Sequence, residues 1–435
     1  MRKSVWILAF SVFLAWQGIS QATTVDALVK KLVEKRILTE KEADQLKGEI
    51  ASDEKAATEE GYKKQVPEWV QNFKIVGDMR VRLQDERRKV ANATGGSPNL
   101  QDRVRGRYRA RLNFETKPND KARVVIGIAT DGGGPRSNNF TFSTSSNDTG
   151  TPSTKGNVVL HKAYGQYMAN DRLTLTAGKM DNPIWEPMEF LWDADITPDG
   201  GVVQYNYKVN DKITLFGLGS VFMLDEYKNS SSDPLMWVGQ AGANMKPNDK
   251  IDAKLVGTYT GYANVTAGFG GSNIRPSSSG TGFNRNTNSS GNVLIYRYSA
   301  PMGSGEFGLN DPFGKLLPLH VPRLGIFGEY THNPSPNNMN TAWMAGAYLG
   351  NSKVNGFGTW KATTAYKYLG RDAWLDILPD SDFYGGSTDV KGIEGILEIG
   401  LAKNMSFVID YYHAERIKAA KQPEHLIQYD INWKF

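Results

Sequence analysis

The final eleven residues, His425 to Phe435, constrain the fold of this chain more than any other segment. Ile427, Tyr429, Ile431, Trp433 and Phe435 fall on one face of an extended strand, while Gln428, Asp430, Asn432 and Lys434 fall on the other. Strict period-two alternation predicts a half-buried strand. Its apolar side grows more aromatic toward the end, and no tail follows. A soluble sandwich could carry such an edge strand, but the aromatic edge would then be open to aggregation. Closure into a barrel removes that edge.

The other end predicts export. Met1 to Lys3 is positively charged, Val5 to Trp16 is almost continuously apolar, and Ser20-Gln21-Ala22 offers small residues for cleavage. This is the pattern of a secretory signal peptide over residues 1–22, with a mature chain from Thr23. The alternative is an uncleaved anchor, for which the apolar run is short. The sequence has no cysteine, so an exported fold must be held by its core or its sheet and not by disulfides. No second apolar stretch approaches the roughly 18 residues of a membrane helix. Mean hydropathy is −0.46, which suits a membrane barrel because its apolar content is hidden in alternation. Without Arg2 and Lys3, 49 basic residues stand against 46 acidic ones. That balance does not point to nucleic acid.

Two unequal parts follow the signal. Residues 23–67 carry Leu28, Leu32, Val33 and Ile37 at helical spacing, then a Thr39-Glu-Lys-Glu42 capping box and Ala43, Leu46 and Ile50. A helical hairpin or short coiled coil is expected there, too small to bury a core alone. Residues 68–435 change to alternating segments of about ten residues, the length of a tilted membrane strand. Short polar breakers such as Asn170-Asp171, Asn210-Asp211 and Lys246-Pro-Asn-Asp249 alternate with long Gly/Ser/Asn-rich stretches over 132–156 and 262–291. Short turns at one end and long loops at the other predict an all-β transmembrane antiparallel barrel of about sixteen strands, wide enough for water. One strand is expected over 292–299, followed by an awkwardly long connection over 300–320.

Charge placement points to a lumen. Arg103, Arg105, Arg107, Arg109 and Arg111 share one parity, with Val104, Gly106, Tyr108, Ala110 and Leu112 on the other. Arginine on a lipid face near the midplane costs roughly 2–4 kcal/mol, so the row is expected to face inward. The preceding strand adds Arg80 and Arg82 to the same wall. Two other readings are a nucleic-acid-binding strand pair and arginines satisfied by carboxylates. The acidic stretch from Met180 to Gly201 carries Asp181, Glu186, Glu189, Asp193, Asp195 and Asp199 among Trp185, Phe190, Leu191 and Trp192. Those aromatics suit a loop folded inward against the wall, with its carboxylates facing the arginines across a narrow passage.

The closing strand resembles that of bacterial outer-membrane barrels, and the resemblance implies that Tyr429, Ile431, Trp433 and Phe435 signal to the assembly machinery. The run Trp192-Asp-Ala-Asp-Ile-Thr-Pro-Asp-Gly-Gly201 resembles the porin passage from third loop into strand. Asp372-Ala-Trp-Leu375 with Asp380-Ser-Asp-Phe-Tyr-Gly-Gly386 resembles a late external loop of the putative-porin family. The resemblance covers nearly the whole chain. It implies passive diffusion of small hydrophilic solutes through a homotrimer in the outer membrane, while the count of seven inward arginines against six loop acids favours anions weakly. It also implies a periplasmic N-terminal segment, contact with membrane lipids, and no catalytic residue or cofactor. The five histidines lack metal-ligand spacing, so no metal is expected. A substrate-specific channel for anions or oligosaccharides, and a barrel adhesin or enzyme, remain as alternatives.

Overall fold

In the computed structural model the chain divides into two compact units, Met1–Gln71 and Asn72–Phe435. The structure describes residues 33–34, 39, 41–46, 48–49, 68–90, 99–143, 155–226, 232–265, 286–287, 294–314, 320–419 and 421–435. The expected signal peptide over 1–22 and most of the segment over 23–67 lie outside the described residues. In the first unit, residues 41–46 and 48–49 are helical. Thr39 Oγ1 accepts the Glu42 N–H at 3.3 Å, and Glu42 Oε2 accepts the Thr39 N–H at 2.8 Å. This reciprocal box satisfies two donors that a helix start leaves orphaned. A short helix, Glu68–Gln71, ends that unit in sequence.

The second unit is one antiparallel sheet. Its strands are β1 (Lys74–Val90), β2 (Asn99–Asn119), β3 (Ala122–Thr130), β4 (Phe140–Thr141), β5 (Val158–Met168), β6 (Leu173–Lys179), β7 (Asp199–Asn210), β8 (Ile213–Met223) and β9 (Leu235–Asn248). They continue as β10 (Ile251–Ala263), β11 (Ala300–Asn310), β12 (Arg323–His332), β13 (Thr341–Gly350), β14 (Trp360–Leu369), β15 (Val390–Ala402), β16 (Met405–Arg416) and β17 (Glu424–Lys434). The two-residue β4 pairs only with β2, and β3 pairs directly with β5. The remaining sixteen strands pair neighbour to neighbour, and β1 meets both β2 and β17. The sheet is therefore closed, as alternation at the chain end required.

Closure is tight at the seam. The Gly77 and Phe435 backbones exchange hydrogen bonds of 2.8 and 3.0 Å. A Cβ on Gly77 would lie 2.5 Å from the Arg111 carbonyl oxygen and 2.8 Å from the Phe435 ring. Only glycine fits there.

Alternation sorts the two faces. Leu83 is 50% exposed and its neighbour Gln84 only 2%. Ile75, Met79, Val104, Ile126, Leu255 and Ile326 are likewise exposed. An apolar outer surface of this kind is stable only if something other than water covers it, which a bilayer does.

The ends also differ. At one end, Asn119, Asn170, Asn210 and Asn248 each turn the chain by the same device: the asparagine Oδ1 accepts the backbone N–H two residues on at 2.9 Å. These Asx turns need no further residues. The long connections gather at the opposite end, including 180–198 (loop 3), 264–299 (loop 5) and 370–389 (loop 7). One sequence expectation fails in detail. The strand placed over 292–299 is β11 at Ala300–Asn310, and the longer connection at the short-turn end is 311–322. Leu294 and Tyr298 are buried without lying in a strand, and the Tyr298 hydroxyl meets Asp372 of loop 7.

Candidate functional site

The arginine row spans β1 and β2. Antiparallel register puts Arg80 opposite Arg109, Arg82 opposite Arg107, Asp78 opposite Arg111 and Glu86 opposite Arg103. Like charges directly opposite destabilise a sheet unless something compensates them. Aspartates do so for four of the seven. Arg82 donates to both oxygens of Asp430, at 2.7 and 2.8 Å, and to Asp382 at 2.9 Å. Arg109 and Arg111 share Asp78, at 3.0 and 2.8 Å, and each reaches Asp195 of loop 3 at 3.3 Å. Arg80 donates to Asn139 at 2.6 Å and stands 3.6 Å from Asp430.

The other three are treated differently. Buried Arg107 donates only to neutral oxygens: Gln84 at 3.2 Å, Ser137 at 3.2 Å and the Asn139 carbonyl at 2.9 Å. Arg105 touches Glu86 at 3.4 Å. Arg103 is exposed and makes no ion pair with the described residues.

Loop 3 leaves β6 just past Gly178, whose φ of +121° and 2.3 Å Cβ approach to the Ala163 carbonyl demand glycine. The loop then attaches to the barrel at several points in turn. Asp181 pairs with Lys162 and accepts the Tyr164 hydroxyl at 3.3 Å. Gln240 of β9 clamps the Trp185 backbone, accepting its N–H and donating to its carbonyl, both at 3.0 Å. Lys254 of β10 lies 4.2 Å from the Trp185 ring centroid. Lys367 of β14 donates to the Glu189 carbonyl at 2.7 Å. Asp195 then reaches the arginines.

The expected passage between acids and arginines is thus replaced, at Asp195, by direct contact. Asp199 is not in the loop at all: it begins β7, is exposed, and pairs with Lys179 at 2.9 Å. Glu186 and Glu189 are drawn into the loop interior with Phe190, Leu191 and Trp192, which are fully or almost fully buried.

Loop 7 is the partner that sequence reasoning did not supply. Asp193 N–H donates to the Leu378 carbonyl at 2.8 Å, and Asp380 N–H to the Phe190 carbonyl at 3.0 Å. Trp192 meets Trp374 edge-on at 6.4 Å between centroids, as does Phe190 with Phe383. Arg136, from the β3–β5 connection, donates to the Asp376, Pro379 and Gly386 carbonyls. Asn286 and Thr287 of loop 5 hold Asp376 and Asp372. Asp372, Asp376 and Asp380 recur every four residues, which was the available sequence signal.

The interlock concentrates carboxylates. Oxygens of Glu189, Asp193 and Asp380 lie within 4.8 Å of one another. Lys367 donates to Asp380 at 3.0 Å and also pairs with Glu394. The backbone N–H groups of Ala194, Asp195, Ser381 and Asp382 donate to the three carboxylates at 2.8 to 2.9 Å. Burial, reinforced by neighbouring Asp380, pushes Asp193 up to about 8. Burial likewise raises Glu186, beside Glu329, and Glu189, beside Asp380. Asp382 and Asp195 go the other way. Burial opposes their ionisation but is outweighed, by Arg82 for Asp382, which falls to about 2, and by Arg109 and Arg111 for Asp195.

The family model described as "Putative porin" matches residues 96–293 and 326–435, well over half of the chain. Among solved structures, Pseudomonas putida OprB at high pH is 10% identical, with a TM-score of 0.51, and the match covers 84% of this chain and 95% of that one. The outer-membrane channel DcaP of Acinetobacter baumannii is 12% identical over 83% of this chain and 97% of that one, at a TM-score of 0.43. A triple mutant of Rhodopseudomonas blastica porin is 10% identical over 83% and 100%, also at 0.43. At such identities the OprB likeness speaks to the fold alone. No curated protein matches the sequence. The family match, on a closed barrel of sixteen strands, establishes that this chain belongs to the putative-porin family and is an outer-membrane porin, a channel for passive diffusion.

Proposed function

We propose that small hydrophilic solutes cross this barrel past a constriction built by loops 3 and 7 together, against the wall of Arg80, Arg82, Arg103, Arg105, Arg107, Arg109 and Arg111. The observation that carries this reading is Asp195, which ties the far end of loop 3 to Arg109 and Arg111 while Gln240 holds its tip on β9. A loop attached at both sides narrows a lumen without sealing its full width. Polar solutes exchange water for the charged lining at little cost, whereas apolar ones lose hydration and gain no partner. The chain acts on this reading as a passage and not as a catalyst.

The exposed outer belt favours membrane lipid as its surroundings, and the resemblance favours a homotrimer. Tyr429, Ile431, Trp433 and Phe435 would engage the assembly machinery from β17. Residues 1–22 would be the export signal and 23–67 a periplasmic helical segment. The test is conductance of the full-length protein in planar bilayers, alongside swelling of proteoliposomes in sugars of increasing size. Stable steps and a sharp size limit support the reading; folded, heat-modifiable protein that conducts nothing removes it.

A further inference from the structure

We infer that Arg103, Arg105 and Arg107 form a binding subsite for small oxyanions, carboxylate or phosphate, on the loop-bearing half of the wall. The inference rests on the porin reading above and adds a site and a ligand class to it.

The three arginines occupy successive inward positions of β2, their Cα atoms roughly 7 Å apart at the usual rise per residue. Among the described residues, the one carboxylate within 4 Å of any of them is Glu86, 3.4 Å from Arg105. Glu86 is itself shared with Arg88, at 3.6 Å, and Arg88 also pairs with Glu424. Asp382 is nearby but committed to Arg82. Arg107 is 8% exposed, bonds only neutral oxygens, and leaves its Nε without a partner. The Nε of Arg105 is also unpartnered.

A buried guanidinium facing neutral acceptors is expensive unless a counter-charge visits. Exposed Arg103 supplies the accessible fork and half-buried Arg105 stands beside it; guanidinium groups match the planar, two-oxygen edge of carboxylate and phosphate. Arg107 adds its field from below. Arg109 and Arg111 cannot serve in this way, because Asp78 and Asp195 already occupy them.

The test uses full-length protein in planar bilayers, with reversal potentials under a salt gradient and conductance against concentration in potassium acetate and potassium phosphate. Wild type should be anion-preferring, with conductance that saturates. The anion that saturates, acetate, phosphate or both, identifies the ligand. The double variant Arg103→Gln, Arg105→Gln should lower the anion-to-cation permeability ratio roughly ten-fold, the low end for a charged cleft, and abolish saturation. Glu86→Gln should raise the ratio. Arg103 is exposed and Arg105 half-buried, and heat-modifiability checks folding. Saturation in neither salt, or a double variant with unchanged ratio, overturns the subsite while leaving the porin reading intact. A wild type that does not conduct removes the porin reading itself.

Discussion

The two halves of the arginine wall share one strand pair and one spacing but are built for different ends. Arg80, Arg82, Arg109 and Arg111 are interleaved with Asp78, Asp195, Asp382 and Asp430. Arg103, Arg105 and Arg107 have Glu86 and neutral oxygens. In the first half the charges hold loops and the barrel seam together. In the second they remain available to a solute. Identical residue types at identical spacing therefore say little about role until their counter-charges are known.

That contrast is sharpest at Arg82. Arg82→Met removes the closest partner of buried Asp430 and of half-buried Asp382, and breaking a buried pair this way costs about 3–5 kcal/mol. A matching drop in the urea midpoint of the folded barrel is expected, and a midpoint within error of wild type would break the division into two halves. Asp195→Asn comes next. It weakens charged hydrogen bonds worth about 1.5–3 kcal/mol each, leaves Arg109 and Arg111 with Asp78 alone, and should give noisier, larger single-channel steps with stronger anion preference.

The acids respond to pH in opposite senses. Asp193 has a folded pKa near 8, above the roughly 3.9 of an unfolded chain. Its contribution is present below pH 4 and is lost as pH rises through 8. Asp382, held near 2, contributes above pH 4 and loses that contribution as pH falls through 2. Proteolysis of loops 3 and 7 should accordingly increase from pH 5 to 9, and Asp193→Asn should flatten the trend. The smallest effect on stability is expected at the exposed end: Arg103→Gln should change the urea midpoint by the equivalent of no more than about 0.5 kcal/mol.

The wall and the closing strand were legible because period-two alternation is a local signal. In β2, each arginine is flanked by residues that point outward, so five alternate positions suffice to define the inward face. The counter-charges were not legible, since Arg82 meets partners 300 and 348 residues away in sequence. β11 was missed for a different reason. Its outward residues include Pro301, Gly303 and Gly305, which read as a turn and not as a strand. The apolar run just before it drew the assignment, yet Tyr298 is apolar in order to pack under loop 7, its hydroxyl donating to Asp372 at 2.9 Å. Loop 7 carried aromatics and acids that alone cannot say which loop they will meet.

The loop interlock also has a consequence for how the protein is made. Apart from the two-residue β4 and the seam between β1 and β17, successive strands pair with each other, so hairpins can form from short-range encounters. The interlock joins residues 178 and 240 positions apart, at Lys367 with Glu189 and at Arg136 with Asp376. Contacts of such separation carry the larger ordering cost and come late. The seam joins residues further apart still, with Asp78 opposite Lys434, so closing the cylinder and fastening its loops both fall at the end of assembly, after the hairpins.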